Sequence, residues 1–288
     1  MVEEEKLAIN PKDMSDRLYE KYSNFIYSEC GIKLPPVKRV MLQSRLLKRL
    51  RSLGIHSYEE YYDYLTSAKG RDEELVHALD MVSTNKTDFF REPSHFDYLC
   101  QVALPEILRS AGGRPRKRIH LWSAGCSSGE EPYTLAMVLS NFLEKYPEID
   151  YDILSTDISQ RMLDKARQAI YTDIDVRPIP HDLKVKYFMK GKGTQEGNWR
   201  VIPELRKRVQ FSRLNLMDNR FDLPNPMDII FCRNVIIYFD RPTQVCLFQK
   251  LYDCMVCGGF LFIGHSETLY GINDRFHYIQ ATIYQKPK

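Results

Sequence analysis

The chain has 288 residues, enough for one large or two modest domains with a buried core. Its 43% hydrophobic and 27% charged residues exclude a disordered chain, and no apolar run approaches the ~20 residues that cross a bilayer. Net charge is only +3, so any basic character that matters is local.

Met1 to Lys6 is acidic where a secretory leader is basic and then apolar, so a cytoplasmic protein is expected, with no insertion into a membrane. Cys254 and Cys257 form a C-x-x-C with no second pair to complete a tetrahedral site. Reduced thiols and no metal are the expectation.

Residues 11–83 read as a small helical domain. Leu18, Tyr22, Phe25 and Ile26 recur at helical spacing, as do Val40, Leu46, Leu47, Leu50 and Leu53. The segment Lys38 to Arg51 carries Lys38, Arg39, Arg45, Lys48, Arg49 and Arg51 with no acidic residue. Such a face is either solvated or meets an anionic partner. No base-stacking aromatic or recognition motif accompanies it, so an acidic protein surface through Arg45, Lys48 and Arg49 is preferred to nucleic acid.

Residues 84–118 read as a linker with a helix from Ser94 to Arg109 and an exposed turn over Gly112 to Arg118. From 119 to 288 strands and helices alternate: Ile119–Ser123, Glu131–Glu144, Tyr151–Thr156, Arg161–Ala169, Val209–Arg213, Met227–Cys232, Thr243–Met255 and Phe260–Gly264. This is a doubly wound α/β domain on a mostly parallel sheet. Glycine-punctuated residues 183–208 interrupt the rhythm as a hairpin insertion, and His277–Gln285 alternates as if closing the sheet with antiparallel strands.

The first strand turns into its helix through Ser123-Ala124-Gly125-Cys126-Ser127-Ser128-Gly129-Glu130-Glu131. A dinucleotide places its pyrophosphate at this helix N-terminus, where Glu130 and Glu131 would repel it. A phosphate-free, cationic nucleoside suits the loop better. Ser128 and Glu131 also match the capping box S-x-x-E, which leaves cap and ligand open for Glu131. Asp157 ends the second strand, placed to accept hydrogen bonds from ribose hydroxyls, with capping of the next helix as its other reading.

Several ordered motifs resemble one family: Thr84-Asn85-Lys86-Thr87-Asp88-Phe89-Phe90-Arg91-Glu92, the loop from Trp122 to Tyr133, Asn215-Leu216, Phe231-Cys232-Arg233-Asn234-Val235-Ile236-Ile237-Tyr238-Phe239, and Gly264-His265-Ser266-Glu267. They are similar to the chemotaxis receptor methyltransferases of the CheR type. The resemblance implies a class I, Rossmann-like methyltransferase domain with a small all-helical N-terminal domain and an inserted antiparallel β-subdomain. It implies S-adenosyl-L-methionine as cofactor, S-adenosyl-L-homocysteine as product, and receptor glutamates as methyl acceptors.

Carried over position by position, Asn85, Thr87, Arg91, Glu131, Asp157, Asn215, Leu216, Arg233 and Asn234 would line the cofactor, with Arg91 and Tyr238 at the reacting centre. At least one of Phe89 and Phe90 is read as core between domains. The partners implied are the cytoplasmic helical domain of the receptors and a receptor C-terminal peptide at the β-subdomain, met by a monomer. An amide or base nitrogen as acceptor is disfavoured, because Cys232-Arg233-Asn234-Val235 lacks the proline-containing turn common in that chemistry. A regulator that binds the cofactor without catalysis is the other alternative.

Overall fold

The computed structural model describes residues 9, 11–109 and 117–288. Met1–Lys6 and positions 112–116 of the expected turn lie outside them. The chain forms two compact units: residues up to Thr84 with Tyr238–Asp240, and Asn85–Ile237 with Arg241–Lys288.

The first unit is helical: α1 (Asp16–Cys30), α2 (Arg39–Leu53), α3 (Tyr58–Thr66), α4 (Ala68–Glu73) and α5 (Leu75–Val82). Ser15 and Ser57 open α1 and α3 by accepting from the N–H groups of Leu18 and Glu60, which satisfies donors that have no partner inside the helix. Leu18, Tyr22, Phe25 and Ile26 are buried as their spacing predicts. On α2 the buried stripe is Leu42, Leu46 and Leu50, while Val40 is 73% exposed and Leu53 is also exposed. The apolar residues of α2 support more than one stripe at helical spacing, and the sequence reading chose members of two.

In the second unit the helix expected over Ser94–Arg109 is α6 (Ser94–Tyr98) and α7 (Leu104–Arg109), joined by a π-helical turn at Leu99–Ala103. Then follow β1 (Arg118–Ala124), α8 (Glu130–Leu143), β2 (Asp150–Asp157) and α9 (Gln160–Gln168). Later come β6 (Val209–Arg213), β7 (Met227–Cys232), α12 (Arg241–Asp253), β8 (Met255–Ile263), β9 (His277–Gln280) and β10 (Ile283–Gln285). Seven of these strands form one sheet in the order β6-β2-β1-β7-β8-β10-β9. The first five are parallel; β10 pairs antiparallel with β8 and β9. Strand β7 is buried along its whole length, as covering both faces of a parallel sheet requires.

A separate antiparallel sheet has the order β3-β5-β4, with β3 (Ile170–Thr172), β4 (Phe188–Lys190) and β5 (Asn198–Val201). Between its strands lies α10 (His181–Tyr187), and α11 (Pro203–Arg206) follows. The sheet therefore recruits a strand upstream of the expected 183–208, because three residues are too few for alternation to register. Phe89 lies in the core of the second unit, 4.8 Å from the Tyr171 ring and 5.7 Å from Phe188. The 85–109 segment, expected as a linker, thus contributes to that core with Phe96 and Leu99.

Candidate active site

Strand order reverses between β1 and β7, and in open α/β sheets the crevice at the carboxyl ends of such strands receives the ligand. Gly125, at φ 89°, leaves β1 where a Cβ would lie 2.4 Å from Val235 Cγ2; glycine alone tolerates both constraints. The N–H groups of Gly125 and Cys126 donate to Thr156 O at 2.8 and 2.9 Å, folding the loop over the end of β2. Asp157 Oδ2 then accepts from Ser127 N at 2.8 Å and Oδ1 from Ser159 N at 2.9 Å. Two backbone donors fix this carboxylate. Ser159, whose side chain accepts from Met162 N, caps α9, so the capping role considered for Asp157 is not the one it plays.

Glu131 likewise does not cap. The N-cap of α8 is Gly129 without a side-chain bond, and Ser128 Oγ donates to the Glu130 carboxylate at 2.8 and 3.0 Å. With its partner diverted, no capping box forms. Glu131 reaches across the strand ends, accepting from Ser123 Oγ at 2.6 Å and from Arg233 Nε at 2.9 Å.

Arg233 has a side chain only 2% exposed. It also approaches His95 Nδ1 at 2.9 Å and donates to Arg91 O at 2.7 Å. Guanidinium is a donor only, so His95 Nδ1 accepts and Nε2 carries the proton towards Thr282 Oγ1 at 2.8 Å. Burial, reinforced by the Arg233 charge, pushes the His95 pKa down to about 4 and keeps the ring neutral. Ligand atoms of Glu92, His95 and His265 lie within 4.8 Å of one another, but both ring nitrogens of His95 are already engaged.

The crevice is therefore less negative than Glu130, Glu131 and Asp157 suggest by formal charge. Arg233 offsets Glu131, and burial raises the Glu130 pKa to about 7. Asp157 remains the carboxylate fixed by the loop itself.

The backbone around Arg91 is tied to the same network. Arg91 Nη1 donates to Lys86 O at 3.0 Å. Glu92, at φ 57°, accepts through Oε1 from Asn234 Nδ2 at 3.2 Å and from His265 N at 3.1 Å. Burial pushes its pKa up, but His265 N–H, the Arg233 charge and the Asn234 amide together hold it below the usual value. Asn234, also in the left-handed region, is held by Glu267, whose carboxylate collects the N–H groups of Asn234, Ile236, Ile237 and Gly264 at 2.5–3.3 Å. Glu92 and Glu267 stand inside the family-like motifs, where the sequence alone points to no role for either. An acidic residue beside left-handed backbone leaves no periodic signal.

Asn85 O accepts from Ser127 Oγ at 2.9 Å, which seats the Asn85–Arg91 segment, with half-buried Thr87, against the loop. On the other side Leu214 N donates to Asp157 O at 3.1 Å, placing Asn215 and buried Leu216 beside the end of β2. Tyr238 groups with the first unit, where its carbonyl accepts from Lys33 N at 3.0 Å.

The expected basic face of α2 is smaller than the sequence implies. Arg45 donates to Val82 O and Ser83 O at 2.5 and 3.2 Å, closing the end of α5. Arg49 forms a two-pronged pair with Glu74, at 2.7 and 2.6 Å. Lys48 is exposed. Helical charge patterning counts residues on one element and does not register partners supplied by another.

Residues 17–83 match the family described as "CheR methyltransferase, all-alpha domain", and residues 85–285 match "CheR methyltransferase, SAM binding domain". The chain belongs to the CheR methyltransferase family. It is 38% identical over 283 residues to a chemotaxis protein methyltransferase of Borreliella burgdorferi, covering 98% of both chains. It is 37% identical to one from Escherichia coli, covering 96% of this chain and 92% of that one, and 35% identical to chemotaxis protein methyltransferase 2 of Pseudomonas aeruginosa, covering 92% and 91%. This CheR chain is thus a methyltransferase that uses S-adenosylmethionine, and its second unit carries the cofactor-binding domain.

Proposed function

We propose that this CheR protein transfers a methyl group from S-adenosylmethionine to glutamate side chains of chemotaxis receptors, forming methyl esters and releasing S-adenosylhomocysteine. Asp157 carries the reading: a carboxylate clamped by two backbone N–H groups at the end of β2, beside a loop that opens on Glu130 and Glu131. That set of acceptors fits a phosphate-free nucleoside. Asp157 accepts from the ribose hydroxyls, while Asn85, Thr87, Asn215, Leu216, Arg233 and Asn234 complete the walls.

The bound cofactor supplies an electrophilic methyl group on a sulfonium. Glutamate, with a reference pKa of about 4.3, is already ionised near neutral pH, so the protein needs no general base. Its task is alignment with water excluded, which supplies roughly 7–11 kcal/mol in favourable cases. Arg91 and Tyr238 orient the acceptor carboxylate by hydrogen bonds. Their hold must tighten in the transition state, since equal binding of ground and transition states does not accelerate the step.

Lys48 is the residue of α2 left to meet the acidic methylation helices of the receptor. A receptor C-terminal peptide docks on the three-stranded sheet, whose outer strands β3 and β4 each present an edge to an added strand. The protein acts in the cytoplasm as a monomer.

Incubation with methyl-labelled S-adenosylmethionine and receptor-containing membranes tests the reading. Label released as volatile methanol in alkali is expected; label that persists as N-methyl groups, or none incorporated, overturns it.

A further inference from the structure

The segment after β6, Asn215 to Phe221, is folded by itself into a tight turn. Asp218 N donates to Asn215 O at 2.9 Å, Met217 N to Asn215 Oδ1 at 3.0 Å and Asn215 N to Asp218 Oδ2 at 3.3 Å. Those bonds shape the turn without attaching it to the domain. Behind it lies a groove of about 800 Å³ lined by Leu216, Met217, Cys246, Gln249 and Lys250, so close packing does not hold its outer side.

Lys250 ties the backbone of this turn to α12. From α12 its Nζ donates to Leu216 O at 2.7 Å and Asp218 O at 2.6 Å, and lies 4.7 Å from the centroid of the Phe221 ring. Phe221 in turn meets the buried Trp122 of β1 edge-on at 5.3 Å. Among the described residues no carboxylate forms a salt bridge with Lys250. Two carbonyls and a ring face satisfy this half-buried ammonium, and hydrogen bonds to a charged donor are the stronger kind. Partial burial lowers the Lys250 pKa, against the opposing influence of the neighbouring Cys246 and Asp218.

We infer that Lys250 is a positioning residue for cofactor binding, pinning the Asn215–Phe221 turn as the wall of the crevice beside Asp157. The inference rests on the cofactor site proposed above. Lys250 touches neither cofactor nor acceptor; it acts through the backbone of Leu216 and Asp218. Its loss therefore affects occupancy of the crevice more than the chemical step.

The test is calorimetric titration of the full chain with S-adenosylhomocysteine, together with KM and kcat for methyl transfer. Losing two charge-assisted bonds in Lys250→Met is expected to weaken the ligand roughly five- to twentyfold. KM for S-adenosylmethionine should rise in parallel while kcat falls less than threefold. Lys250→Arg, which keeps a charge and several donors, should restore most of the affinity.

A general structural role would lower melting temperature without this split between KM and kcat and without rescue by arginine, and that result overturns the inference. So does unchanged affinity in folded Lys250→Met. If that variant does not fold, Lys250→Gln carries the same test, with a threefold or greater loss expected and unchanged affinity again decisive. Failure of the unsubstituted chain to bind S-adenosylhomocysteine overturns the cofactor site itself, a distinguishable outcome.

Discussion

Arg233 Nε donates to Glu131 Oε2 at 2.9 Å, joining the residue after β7 to the first turn of α8. The pair is buried, with side chains 2% and 12% exposed, and it closes the strand ends on which the crevice is built. Burial raises the Glu131 pKa even against the neighbouring Arg233 charge, so neither partner is comfortable without the other. Breaking a buried pair from one side typically costs about 3–5 kcal/mol, because an uncompensated charge remains. Arg233→Met should show a loss of that order in urea unfolding. Arg233→Met with Glu131→Gln should recover part of it, and a strictly additive double variant would remove the coupling.

Arg91 sits one residue before a left-handed Glu92, and its carbonyl is held by Arg233 Nη2. With the backbone fixed independently of the side chain, Arg91→Ala should fold normally. If Arg91 orients the acceptor, kcat should fall about a hundredfold, the scale of loss from misplacing reacting groups. Wild-type turnover in purified Arg91→Ala would remove it from the mechanism.

Asp157 holds the loop and, as proposed, accepts from the ribose, and a pair of variants separates the two roles. Asp157→Ala removes the acceptor for Ser127 N and Ser159 N as well as for ribose, so it should lose stability by about 1–3 kcal/mol along with cofactor affinity. Asp157→Asn keeps one carbonyl acceptor and should fold better while still binding S-adenosylhomocysteine more weakly. Calorimetry showing wild-type affinity in both would refute the assignment.

The sequence made the sheet legible because long buried strands such as Met227–Cys232 and the strand–helix alternation leave strong periodic marks. It also put Asp157 at the end of the second strand, which follows from that alternation. The wiring was illegible for a physical reason. Glu131 resembled a cap because Ser128 stands three residues before it; the helix instead starts after Gly129, and Glu131 is bound by Arg233, distant in sequence. Likewise Arg49 looked available until Glu74 was seen beside it.

The α2 residues give opposite expectations. Glu74 is 2% exposed and depends on Arg49, with a further bond from Tyr61 Oη at 2.8 Å. Arg49→Ala should therefore destabilise the protein by several kcal/mol, of order 3. Charge reversal at exposed Lys48 should leave the melting temperature within a degree or two and slow receptor methylation at low salt, an effect that fades as salt screens the contact. Equal rates for Lys48→Glu and wild type at low ionic strength would exclude Lys48 from the receptor surface.

Glu130 and His95 pull the stability profile in opposite directions. His95 has a folded pKa of about 4, below its unfolded value, so stability is lost as the unfolded chain takes up a proton from pH 6.5 down to 4. Burial, partly countered by the Ser128 hydroxyl, raises the Glu130 pKa to about 7. The folded state therefore retains a proton that the unfolded chain releases, and stability falls as pH rises from about 4.5 to 7. Between pH 4.5 and 6.5 these contributions oppose each other and flatten the wild-type curve. Glu130→Gln removes one of them. Relative to wild type, its unfolding free energy should rise by roughly 3 kcal/mol more at pH 8 than at pH 4.5. Urea unfolding at pH 4.5, 6 and 8 measures the difference, and a constant offset across that range would show that Glu130 is ionised in the folded protein throughout.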